Sequence, residues 1–155
     1  MMGATTERGM GPPIALKPGD VVAYDTQDCV VDSETTHTSP SVSWVEWELN
    51  PGSVERRLTL VLVGERLFGG QPARVAGRPG DETVAGEGVT FTLRRHGKAD
   101  VRTARASGPV AFDRVEFWHY TSEAGRLVII CRSHGSERSV SLVPTSEAAL
   151  QVYSV

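Results

Sequence analysis

The sequence predicts an all-β protein, and three of its features do so. Apolar runs of about four to eight residues recur with turn signals every 8–12 residues or so, the cadence of a sandwich or barrel. Sixteen Gly and nine Pro fall between these runs, where they punctuate strands. No window keeps a helical apolar period beyond one or two turns. The expected architecture is a barrel or sandwich made of two pseudo-repeated antiparallel β units, with at most one short helical turn near the C-terminus.

The repeat is read from three matches. Val45-Glu46-Trp47 answers to Val115-Glu116-Phe117 at an offset of 70, and Arg57–Val61 answers to Arg126–Ile130 at 69. Upstream, Gly19–Tyr24 answers to Gly86–Phe91 at 67. One order at nearly one period, 67–70 residues, suggests a duplicated unit. Residues 1–15 are expected as a mobile leader and 16–155 as one β domain. Its halves cover about 16–64 and 86–155, joined by a Gly- and Pro-rich connection over 64–85.

Taken in order, Lys17-Pro18-Gly19-Asp20 is a turn signature and Val21–Tyr24 a strand. Asp25–Asp28 then turns the chain into Cys29–Val31. Asp32–Ser41 is polar, contains Pro40, and is expected as a loop or strand end. From Val42 the alternation puts Val45, Trp47 and Leu49 on one face and Trp44, Glu46 and Glu48 on the other. After Asn50–Ser53, the run Leu58–Val63 is apolar at every second position and largely apolar between, so both its faces are covered. The connection holds two short apolar pieces, with room for one or two short strands. Val89–Arg95 and Val101–Ala106 follow, with His96-Gly97-Lys98 expected as their turn. Val110–Tyr120 pairs with Leu127–Cys131, and Arg138–Val143 adds a strand. Pro144–Ala149 carries the helical turn, since Ser and Thr cap well and Pro fits a first turn. Gln151–Val155 closes.

A chain of 155 residues suffices for one domain with a core. A net charge of −3 gives no basic field to attract nucleic acid or anionic lipid, so neither is an expected partner. Cys29 and Cys131 match no metal spacing and no CxxC pair, and a disulfide between them would need an oxidising compartment. With no apolar leader and no membrane-spanning run, the expected location is the cytoplasm, with peripheral membrane association left open.

The stretch Leu16-Lys17-Pro18-Gly19-Asp20-Val21-Val22, then Tyr24-Asp25 and Trp44–Leu49, resembles a bacterial family known as domain of unknown function 4178. Val115-Glu116-Phe117-Trp118 and Gly125-Arg126-Leu127 extend the likeness, which covers most of 16–155. The resemblance implies a β-rich intracellular domain, often encoded near a spermidine-synthase-like protein and small membrane proteins in envelope-stress neighbourhoods. It brings no activity and no catalytic residue. The strand after the WxEW segment usually carries an acid in that family, whereas Leu58–Leu62 has none.

The candidate ligand-binding residues are Trp44, Glu46 and Glu48 on one strand and Glu116 with Trp118 on another. Residues two apart share a face, so each half presents a ring beside a carboxylate, a pairing that suits a cation. The structural alternative pairs these acids across strands with Arg56, Arg57 and Arg126. His37, His96, His119 and His134 lack ligand spacing, so no metal is expected, and no cofactor. No GxSxG elbow or phosphate loop appears, and Cys131 in an apolar strand makes a poor nucleophile. The basic cluster Arg94-Arg95-His96-Gly97-Lys98 reads as a solvated hairpin tip.

The functional expectation is a non-enzymatic binding or accessory module, with a protein partner and strand edges that allow a homodimer. The alternative is a barrel that binds a cationic, polyamine-like molecule, or an enzyme acting on one, through Glu46 and Glu116.

Overall fold

The computed structural model describes residues 15–52 and 57–153. Most of the expected leader, and Arg56, lie outside the described residues. Eleven strands form one antiparallel sheet: β1 (Val21–Tyr24), β2 (Gln27–Thr38), β3 (Ser43–Asn50), β4 (Leu58–Val63), β5 (Arg66–Pro72), β6 (Thr83–Gly86), β7 (Val89–Arg105), β8 (Ala111–Thr121), β9 (Leu127–Ser133), β10 (Ser136–Pro144) and β11 (Leu150–Tyr153). The helical content among the described residues is one 3₁₀ turn, Glu147–Ala149, capped by the Ser146 side chain, which accepts from the Ala148 N–H. The all-β expectation holds.

The sheet curves until it meets itself. Pairing runs β2-β3-β4-β5-β10-β9-β8-β7 and returns to β2, a circuit of eight strands. Two seams join chain segments far apart in sequence: Ser33–Thr38 with Asp100–Arg105, and Phe68–Pro72 with Val140–Pro144. The two longest strands also form flaps. The first part of β2 pairs β1, and a bulge between Val31 and Ser33 swings the rest into the ring. The first part of β7 pairs β6, with its own register shift between Leu93 and Arg95. Two-residue turns close both flaps, at Asp25-Thr26 and Glu87-Gly88, all four residues at positive φ as such hairpins require.

Three apolar clusters follow. The inner one draws Trp44, Val61, Phe68, Ala99, Phe117 and Ile129 from strands around the circuit. A second packs Trp47, Leu49, Leu58 and Leu60 against Leu16, Val22 and Cys29, under the β1–β2 flap. The third packs Trp118, Tyr120 and Ile130 against Val84 and Phe91, under the β6–β7 flap. Polar tips tether the incoming chain in both flaps. Trp47 Nε1 donates to the Leu16 carbonyl at 3.2 Å, and the Tyr120 hydroxyl donates to the Asp81 carbonyl at 2.9 Å.

Two local expectations are corrected. Asp32–Ser41 is mostly strand, because Ser33, Thr35 and His37 alternate on one face and β2 has a neighbour on each side there. His96-Gly97-Lys98 is not a turn but the middle of the 17-residue β7. Gly97 lies opposite Phe117, whose ring sits 3.3 Å from where a Cβ would be, so the glycine makes room for an aromatic rather than for a bend.

The repeat in sequence does not coincide with the ring's faces. Strands β1–β5 and β6–β10 do run in one order, and β2 with β7 and β5 with β10 pair with each other. Yet Glu46 and Val61 face inward while their matched residues Glu116 and Ile130 face outward. A shift of one residue turns every side chain over. The third match sets β1 against the start of β7, not against β6.

Candidate functional site

Strand β3 carries Trp44 and Glu46 into the ring, where both are buried. Contacts across the interior fix the assignment, since they join strands that are not neighbours. Trp44 meets Phe117 and His119 of β8 edge-on, at 4.9 and 4.5 Å between ring centres. His37 of β2 stacks on its ring at 4.3 Å. Glu46 accepts from Arg138 of β10 and from Trp44 Nε1, the latter at 3.4 Å. The Glu46 side chain is 4% exposed and that of Arg138 is 48%, so the guanidinium is the half of the pair that reaches water.

This environment sets the protonation of its neighbours. Burial pushes the His119 imidazole down to about 3, helped by Arg95 and then His37. Burial also lowers His37, with Glu46 opposing and Arg138 assisting. Cys131 is pushed up to about 12, by burial first and the Glu46 charge second. The Glu46 charge raises Arg138 above its ordinary value, against the effect of burial.

Stability is therefore expected to fall on mild acidification. The unfolded chain takes up protons at both histidines near pH 6.5, before the folded protein does. The stability is intact above about pH 6.5 and drains as pH falls toward the His119 value of about 3, at up to about 1.4 kcal/mol per pH unit for each histidine. Urea midpoints between about pH 7.5 and 5 check this, and a flat profile contradicts it.

Glu48, two residues on, lies at one mouth of the ring, 3.5 Å from Arg57. Arg105 and Arg138 also line that cavity of about 370 Å³. Glu116 and Trp118 sit on the outer face of β8. Glu116 is 2.8 Å from His96 Nε2 and 3.8 Å from Arg132, and Trp118 is stacked by His96 at 5.1 Å and overlaid by Arg132 at 5.1 Å. The pairing of ring and carboxylate around a cation thus exists here, with the chain's own Arg132 as the cation. Of the expected partners, Arg57 meets Glu48, while Arg126 pairs with Glu87 at 3.7 Å. Glu46 lies inside the ring and Glu116 on its outer face, so the two carboxylates do not converge.

No sequence motif marks the opposite mouth. A cavity of about 720 Å³ lies between Val42–Ser43, Val63–Phe68, Arg94–Arg95 and the strand ends at Thr121 and Leu127, with His119 at its wall. Arg66 opens β5 inside the stretch expected as a connection, and Arg94 and Arg95 stand on β7 just before the residues expected as a turn, so only the register could have gathered them. Among the described residues, no three His, Cys, Asp or Glu converge as a metal site, and no helix is long and apolar enough to cross a membrane.

The family model described as Domain of unknown function (DUF4178) matches residues 17–142. No curated protein and no solved structure matches the chain.

Proposed function

Since this chain belongs to the domain of unknown function 4178 family, whose description carries no activity, we propose its role from its own geometry: a non-enzymatic β-rich module that binds a ligand or partner at an open end of its ring. The observation that carries this reading is how its reactive groups are held. Glu46 is engaged by Arg138, Glu116 by His96 and Arg132, and Cys131 is a buried thiol pushed up to about 12. None stands as a nucleophile beside a free base, whereas the ring mouth is open and concave. The wider setting that the resemblance implies, a bacterial intracellular system linked to envelope stress or polyamines, fits a binding role and adds no chemistry.

The polyamine-like alternative loses its shared pocket, because Glu46 points inward and Glu116 outward. A thermal-shift panel of polyamines, basic peptides, nucleotides, amphipathic anions and divalent metals tests the proposal, with each compound recovered and checked by mass spectrometry. The expected result is a rise of several degrees with at least one class, which is recovered unchanged. Consumption of any compound overturns it, and no shift with any removes the ligand and leaves a protein partner as the occupant to be sought by pull-down. A rise with spermidine that disappears in Glu46→Gln/Glu116→Gln returns the alternative to first place.

A further inference from the structure

The mouth beside His119 has a composition that specifies a ligand. Its walls are apolar at Val42, Val63, Phe68 and Leu127. Its charged lining consists of Arg66, Arg94 and Arg95, with no acidic residue, in a chain whose net charge is −3. None of the three arginines has an ion-pair partner among the described residues. Arg94 Nε donates to the Thr121 hydroxyl at 2.9 Å, and Arg66 lies over the Phe68 ring at 5.7 Å. The Arg94 and Arg66 guanidinium groups are therefore placed by a hydroxyl and an aromatic face rather than by a carboxylate, and Arg95 stands close enough to His119 to act on its charge.

His119 supplies the second observation. It is 3% exposed, it lines this cavity, and its Nε2 is buried without a hydrogen-bond partner. A buried polar atom left unpaired is costly and normally finds a partner. Trp44 meets the His119 ring edge-on at 4.5 Å.

We propose that this mouth is a binding site for a free amphipathic small-molecule anion, whose carboxylate or phosphate head is held by Arg66 and Arg95 and accepts from His119 Nε2, and whose apolar body lies against Val42, Val63, Phe68 and Leu127. This rests on the binding-module reading and names its ligand class. Apolar walls exclude water around the body, and arginine suits an oxyanion head because its planar fork donates twice. The hydroxyls of Ser43 and Thr121 add donors at the rim. A bare inorganic anion would leave the apolar walls wet, and a neutral chain would leave the arginines unanswered.

The test is titration calorimetry with decanoate and octyl phosphate, each below its micelle concentration. Inorganic phosphate and decanol serve as the head alone and the body alone. Both amphiphiles are expected to bind, at least about tenfold more tightly than either fragment. The variant Arg66→Gln/Arg95→Gln changes two exposed side chains, so it keeps the fold and weakens binding by roughly tenfold or more. Arg102→Gln, on β7 outside the mouth, leaves binding unchanged. No heat with either amphiphile at millimolar concentration, equal affinity for a fragment, or an unaffected double variant each overturns the proposal. Sedimentation with phosphatidylglycerol vesicles without binding of free octyl phosphate also overturns it, in favour of a membrane surface. Failure of the amphiphiles alongside a thermal shift with another class refutes this site alone. Hydrolysis of octyl phosphate refutes the non-catalytic reading and leaves the site standing.

Discussion

Replacing Arg138 with methionine is expected to destabilise the protein by about 3–5 kcal/mol, the cost of leaving a buried charge without its partner. Glu46 is nearly fully buried, and without Arg138 the hydrogen bond left to it among the described residues is the one donated by the Trp44 indole at 3.4 Å. The reverse change should be milder. In Glu46→Gln, Arg138 keeps a half-exposed side chain that turns to water, so the loss is about 1–2 kcal/mol. The double variant Glu46→Gln/Arg138→Met should recover most of the single Arg138 loss, because no buried charge remains. Urea denaturation of the four proteins completes the cycle. Equal losses in the two single variants, or additive losses in the double, would mean that the pair is not held inside the ring.

The second large effect lies at the seam between β5 and β10. A Cβ built on Gly70 would stand 1.9 Å from the Ser141 carbonyl oxygen and 3.0 Å from Leu142 Cα, both backbone atoms. The collision cannot be relieved by turning a side chain, so Gly70→Ala has to part the two strands that close the circuit. A loss above about 3 kcal/mol, or roughly 10 °C in melting temperature, is expected. Gly69 makes a useful control. Its Cβ would meet the Tyr24 hydroxyl at 2.1 Å, the end of a side chain. Gly69→Ala should cost about 1–3 kcal/mol and be partly rescued by Tyr24→Phe. A Gly70→Ala protein within about 1 kcal/mol of the parent would show that the ring is open at this seam.

The fold class was legible because short alternating runs and turn residues are local signals. Closure was not. It depends on Ser33–Thr38 finding Asp100–Arg105 and on Phe68–Pro72 finding Val140–Pro144, pairings that no local window contains. The alternation grouped Trp44 with Glu46 and Glu116 with Trp118, but not which group looks inward. Strand β3 is covered on both faces, with Trp44 in the inner cluster and Trp47 under a flap, so amphipathicity could not choose between them. Arg138 and His119, which decide the electrostatics of the interior, lie far from β3 in sequence and reach it only across the ring. The arginine mouth was hidden for a related reason. Gly97 imitates a turn, and with it Arg94 and Arg95 look like a loop tip rather than the rim of a cavity.

The three tryptophans offer a direct measurement, because each marks a different compartment. Trp44 lies in the ring, Trp47 under the β1–β2 flap and Trp118 under the β6–β7 flap. Their indole N–H resonances can be followed together while decanoate is added to ¹⁵N-labelled protein. Binding beside His119 predicts that the Trp44 signal moves and saturates while those of Trp47 and Trp118 stay in place. Movement of Trp118 or Trp47 with Trp44 unmoved, or no movement of any of the three, would contradict a ligand site at the mouth of the ring.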